Sequence, residues 1–148
     1  MRKITLILLV FIGFSINAQA IDYNTTKGFV AEGYDVVSYF NNNVKEGGNK
    51  YVAAHDGAKY KFSSQKNLDT FKANTRKYVP QYGGYCAYAL AVKAKKVSID
   101  PETFEIRDGK LYLFYNSWGS NALKLWLKES PNALVLKADE NWKTLKGK

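Results

Sequence analysis

One stretch concentrates the side chains able to do chemistry: Tyr78-Val79-Pro80-Gln81-Tyr82-Gly83-Gly84-Tyr85-Cys86-Ala87-Tyr88-Ala89-Leu90-Ala91. It holds the one cysteine of the chain, two residues beyond a glycine pair and among Tyr82, Tyr85 and Tyr88. From Tyr85 onward the composition suits a helix, and a glycine pair is best placed just before one, where φ freedom is useful. Cys86 then lies in a first helical turn, where unpaired amides and the helix dipole favour a thiolate if the sulfur reaches solvent. Helical spacing argues the other way. Tyr82 and Leu90 stand four residues either side and Ala89 three beyond, which puts the thiol on an apolar face. The expectation is a largely buried, slow-reacting Cys86 that packs or touches a ligand and does not catalyse.

Few partners exist for that thiol. His55 is the one histidine, so a Cys86–His55 dyad would have to be assembled by the fold across roughly thirty residues of sequence. A three-ligand metal site from Cys86, His55 and a carboxylate such as Asp35 or Asp100 is conceivable on the same condition. A blue-copper set is not, with one His, one Cys and the one Met at position 1. No C-x-x-C-H, G-x-S-x-G, phosphate loop or H-E-x-x-H occurs.

The elements that must position these groups follow from the pattern. Met1-Arg2-Lys3, the apolar run Ile4 to Phe14 and Ala18-Gln19-Ala20 form a secretory signal peptide over residues 1–20, too short to span comfortably. Residues 21–148 are then one soluble, exported domain, periplasmic or extracellular. Losing Arg2 and Lys3 takes the basic residues from 22 to 20 against 13 acidic ones, a net charge of +7. Outside the cell this suits an anionic envelope surface and not nucleic acid. One cysteine forms no internal disulfide, so the fold stands on packing.

Ile21 to Asn43 reads as a lead-in interrupted by a turn at Gly33-Tyr34-Asp35. Tyr51–Ala54 and Lys59–Phe62 flank Asp56-Gly57, and Phe104–Ile106 and Leu111–Tyr115 flank Asp108-Gly109, two hairpins. The second strand of the latter is apolar on both faces and reads as central. A helix follows Ser63 or Ser64 from about Gln65 to Asn74. Asp100-Pro101-Glu102 reads as a turn or a single helical turn with Asp100 as cap and Pro101 at its first position, both Asp100 and Asp108 being turn-forming. Ser117 or Asn121 caps a helix whose stripe is Leu123, Leu125, Trp126 and Leu127. Ser130-Pro131 opens the last helix, with Leu134, Leu136, Ala138, Trp142 and Leu145 inward and Asp139 and Glu140 on an exposed face. The fold class is α+β, a small antiparallel sheet of β-hairpins with short helices packed on it.

Tyr51, His55, Gly57, Tyr60, Phe62, Ser63, Ser64, Phe71 and Tyr78, at this spacing, resemble the YHS domain. The stretch from Val79 to Tyr88, the segment Gly33 to Phe40 and Ala138-Asp139-Glu140-Asn141-Trp142 are similar to an exported bacterial subgroup of that family. The resemblance implies a metal-associated module whose ligand cysteines fall on Ser63 and Asn67 here, neither of which supplies a thiolate. Zinc affinity is accordingly expected to be weak or absent. The resulting expectation is a non-catalytic envelope module binding a metal ion or small ligand. Its site would join Cys86 and His55 inside a pocket lined by Tyr82, Tyr85 and Tyr88. The alternatives are thiol-based redox or catalytic chemistry at Cys86, or a purely structural or interaction domain.

Overall fold

A computed structural model describes residues 20–148; the segment expected to be a signal peptide therefore lies outside the described residues, apart from its last position. The fold is α+β. Strands β1 (Thr25–Thr26), β2 (Phe29–Val30), β3 (Gly48–His55) and β4 (Ala58–Phe62) form one sheet in the order β1-β2-β4-β3. Helices α1 (Gln65–Ala73), α2 (Thr75–Tyr78) and α3 (Ala87–Lys93) follow. A hairpin of β5 (Asp100–Arg107) and β6 (Lys110–Phe114) and a minimal one of β7 (Asn116–Ser117) and β8 (Ser120–Asn121) come next. Helices α4 (Ala122–Lys128) and α5 (Pro131–Leu145) complete the chain. Strands are thus divided among three sheets, and β2 meets β4 in a single parallel pairing at Phe29 and Lys59.

Local chemistry accounts for most boundaries. The Ser64 hydroxyl accepts from the Asn67 N–H and starts α1, and the Asn121 side chain accepts from the Lys124 N–H and starts α4. Asp56-Gly57 and Asp108-Gly109 both take positive φ and close their hairpins as two-residue turns. Tyr60, Phe62 and Phe71 pack ring against ring where β4 meets α1.

Several expectations are corrected. The segment read as a lead-in is core: Val30, Val36, Val37 and Tyr39 are buried, and Asp35 is wholly buried among them. The Asp35 carboxylate accepts the Val37 N–H on one oxygen (3.0 Å) and the Ser63 N–H (2.8 Å), Ser63 hydroxyl (2.7 Å) and Asn67 amide (2.7 Å) on the other. It pins this segment to the β4–α1 junction. Asp100-Pro101-Glu102 begins β5 instead of forming a separate turn, with a register shift between Asp100 and Phe104. There Asp100 accepts from the Glu102 N–H and the Thr103 hydroxyl. β6 is buried as expected, but it has one strand partner; its cover comes from α3 and the Gln81–Gly84 turn. In α4 the inward residues are Ala122 and Trp126, while Leu125 and Leu127 are exposed. In α5 Leu134 and Ala138 face inward, whereas Leu136 is 71% exposed. A helix lying on the surface turns one apolar stripe to the core and leaves its other faces to solvent. Among the described residues no helix is long and apolar enough to cross a membrane.

Candidate functional site

The central stretch is bent by a tight 3₁₀ turn over Gln81–Gly84, in which Tyr82 (φ 56°), Gly83 (φ 61°) and Gly84 (φ 81°) are all left-handed. A tyrosine in that region is strained, and such strain persists only where the surroundings hold it. Here they do. The Tyr82 hydroxyl donates to Asp139 of α5 (2.9 Å), and Asn24 donates its backbone N–H to Gly83 and its side-chain amide to Gly84. Gly83 is required by contact as well as by φ. A Cβ there would stand 2.9 Å from the Asp22 carbonyl oxygen and 3.1 Å from the Trp142 ring.

The bend sends the chemistry-bearing residues to opposite sides. Tyr82 and Gly83 join His55, Asp56, Arg76 and Trp142 around a cleft of about 640 Å³. Cys86 instead lines a separate cavity of about 410 Å³, with Tyr88, Val97, Tyr115, Ala122 and Leu125. The β3–β4 hairpin and the central stretch therefore meet, but through Tyr82 and not through the thiol. The expected joining of Cys86 with His55 in one pocket is not found. Among the described residues no group of three or more His, Cys, Asp or Glu side chains is placed to hold a metal ion, so neither Asp35 nor Asp100 completes a set.

Cys86 is wholly buried, as expected. It occupies the position just before α3, its N–H donating to the Val97 carbonyl and its carbonyl accepting from Leu90. The helix thus begins at Ala87, two residues later than the composition suggests, and Tyr82 does not share a helical face with the thiol.

The three tyrosines do not line one pocket. Each donates to a carboxylate on a different segment: Tyr82 to Asp139 on α5, Tyr85 to Asp22 near the N-terminal strand (3.1 Å), Tyr88 to Glu129 after α4 (2.6 Å). They act as spokes fixing the stretch to its surroundings. Burial, then the Asp139 carboxylate, pushes the Tyr82 phenol far above its ordinary value. Tyr85 is pushed up to about 12, first by burial and then by its bond to Asp22. Asp22 is lowered chiefly by its bond to Lys96 (2.7 Å), which outweighs burial.

In the cleft, the His55 ring stands 3.2 Å from the carboxylate of its chain neighbour Asp56, at the start of the hairpin turn. Arg76 is exposed and makes no ion pair or hydrogen bond among the described residues. Burial, and then the charges of the cleft-lining Tyr23 and Asp56, raise the phenol of Tyr60. Its buried hydroxyl has no hydrogen-bond partner among the described residues. Composition pointed to His55 and Tyr82; Arg76, Asp139 and Trp142 were missed as members of one site. Asp139 looked like part of a solvated face, and it is exposed, yet it holds the strained tyrosine.

The metal implied by the YHS resemblance does not fit. At Ser63 and Asn67 the hydroxyl and amide both donate to the Asp35 carboxylate, so a hydrogen-bonded cross-link occupies the place of a thiolate pair. No family model, curated protein or solved structure matches this chain.

Proposed function

We propose that this chain is an exported, YHS-like binding module of the cell envelope that takes a small ligand without transforming it. The observation that carries the reading is the convergence of the His55–Asp56 turn and the strained Tyr82–Gly83 pair on one cleft. Aromatic walls from Tyr23, Tyr82 and Trp142 and the unpaired Arg76 suit a planar molecule bearing a carboxylate. No nucleophile with an adjacent base stands there among the described residues, since the thiol lines the other cavity.

The test is an NMR screen of small aromatic carboxylates at about millimolar concentration, the range of weak fragment binding. Expected are shifts at the Gly83 amide and the Trp142 indole, abolished by Arg76→Gln. Shifts centred on Val97 and Ser120, or no binder in the panel, overturn the reading. A zinc titration runs beside it. Tight binding that survives Cys86→Ser and His55→Ala places the functional site elsewhere and also overturns it.

A further inference from the structure

Four hairpins of this chain turn on the same unit, a residue followed by glycine with both φ angles positive. They are Lys27-Gly28 (51°, 82°), Asp56-Gly57 (48°, 82°), Asp108-Gly109 (49°, 71°) and Trp118-Gly119 (52°, 73°). The left-handed first position costs every L-residue something, aspartate least and a bulky aromatic more. At three turns that position carries a charged side chain at home in water. At the fourth it carries Trp118, 96% exposed. Among the described residues its ring packs on no other ring and donates to no acceptor. Trp126, by contrast, is buried and donates to Glu105 (2.8 Å), and Trp142 packs on Gly83. Trp118 thus bears a conformational cost and a hydration cost that the fold itself does not offset.

What surrounds the tip says what offsets it. Ser120, one residue past the turn, shares the rim of a cavity with Lys93 and the exposed Leu125, and Lys124 lies in the first turn of the helix that follows. Asp100 and Glu129, the carboxylates bonded to Asn116 of β7 and to Tyr88 of the cavity wall, keep their charge, so the lysines must outweigh them at the surface. An exposed tryptophan at a hairpin tip, with lysines in the flanking elements, matches the boundary of an anionic bilayer, where indole sits at headgroup depth and cations meet lipid phosphates. Beyond Ala20 the chain carries 20 basic against 13 acidic residues, so the long-range field favours the same encounter.

We propose that the β7–β8 hairpin is an interfacial anchor that inserts Trp118 into an anionic lipid surface, with Lys93 and Lys124 as its electrostatic collar. This surface is separate from the cleft and does not depend on the ligand reading. The experiment uses the full chain and Trp118→Asn, sharing one N-terminus, with phosphatidylglycerol and phosphatidylcholine vesicles. Asparagine tolerates the turn, so the variant should fold at least as stably as the parent. Expected are a loss of at least about tenfold in affinity for phosphatidylglycerol vesicles in Trp118→Asn, and a threefold to tenfold loss in Lys93→Gln/Lys124→Gln, of the order of one to two interfacial groups. The difference emission, parent minus variant, should shift to the blue on those vesicles and be quenched by brominated acyl chains. Unshifted emission, equal affinity of the variant, or equal binding to phosphatidylcholine overturns the proposal. So does a concentration-dependent self-association that Trp118→Asn removes, which would assign the tip to a second copy of the chain.

Discussion

The two sides of the Gln81–Gly84 bend differ in kind. On one side, the cleft draws its walls from the segment before β1, the β3–β4 turn, α2 and α5, and it gathers His55, Asp56, Arg76, Asp139 and Lys143 beside aromatic rings. On the other, the thiol cavity is lined mainly by Tyr88, Ala89, Val97, Tyr115, Ala122 and Leu125, with Lys93 its one charged member. Four residues of sequence separate Tyr82 from Cys86, yet a left-handed turn sends them into different environments. Adjacency of reactive side chains in a sequence is therefore weak evidence for a shared site when glycines lie between them. The strained Tyr82 and the unpaired Arg76 stand on the cleft side, whereas on the other the thiol is wholly buried and the walls are mostly apolar.

The largest expected effect tests whether both sides stand on one scaffold. Asp35→Ala removes the acceptor for Val37, Ser63 and Asn67 in a wholly buried place. Leaving those donors unpaired should cost about 3–5 kcal/mol, the range for breaking a buried charged network. Chemical denaturation should show one transition at a lower midpoint. A two-step melt in which the Cys86 side persists would instead mean that the two regions are separately stable.

Next comes the cleft wall itself. Gly83→Ala sets a methyl against the Asp22 carbonyl and the Trp142 ring, at a φ of 61° that alanine resists. A loss of about 2–3 kcal/mol is expected from the combined clash and backbone strain. Trp142 should become more exposed, seen as a red shift in its emission. A variant as stable as the parent would show that the bend is not locked and would blur the distinction between the two sides.

The thiol side should respond less. Cys86→Ala leaves a small void in a packed place and should cost about 1–2 kcal/mol. Carboxylate binding in the cleft should be unchanged. Alkylation of the native protein should run at least about 100-fold slower than that of the urea-unfolded chain, as for a group reached only through opening. Rapid native labelling would restore thiol chemistry as the leading function.

How much of this was legible follows from where the information lies. The Asp56-Gly57 and Asp108-Gly109 hairpins, the Ser64 and Asn121 caps and the Pro131 helix start are local rules written in single dipeptides, and the chain obeys them. Lys27-Gly28 and Trp118-Gly119 make the same turn without a residue that announces it, so they went unread. Asp35 was visible as a turn residue, but its partners Ser63 and Asn67 are about thirty residues away, and no local pattern reports a buried carboxylate hub. The separation of Cys86 from His55 was equally hidden. It depends on the sign of three φ angles at Tyr82, Gly83 and Gly84, which the glycines permit but do not dictate.

The smallest effect separates the tyrosines that flank the bend. Burial, named first, and the Asp139 bond hold the Tyr82 phenol protonated well above its ordinary pKa of about 10, and burial does the same for Tyr39 and Tyr60. A raised folded-state pKa means that the native protein keeps these protons after the unfolded chain has released them. Their contribution is complete below about pH 10 and is lost as pH climbs above it, so stability should fall steadily on the alkaline side. Tyr82→Phe should cost about 1 kcal/mol at neutral pH, the net worth of one hydrogen bond, and should make the alkaline decline shallower by one proton. On the thiol side, the Tyr88 phenol is raised first by its bond to Glu129 and is only half-buried, so Tyr88→Phe should change both quantities less. Denaturant midpoints across the alkaline range, read with phenolate absorbance, check the order. If Tyr88→Phe flattens the alkaline decline more than Tyr82→Phe does, the polar tension lies on the thiol side of the bend and the contrast between the two regions is reversed.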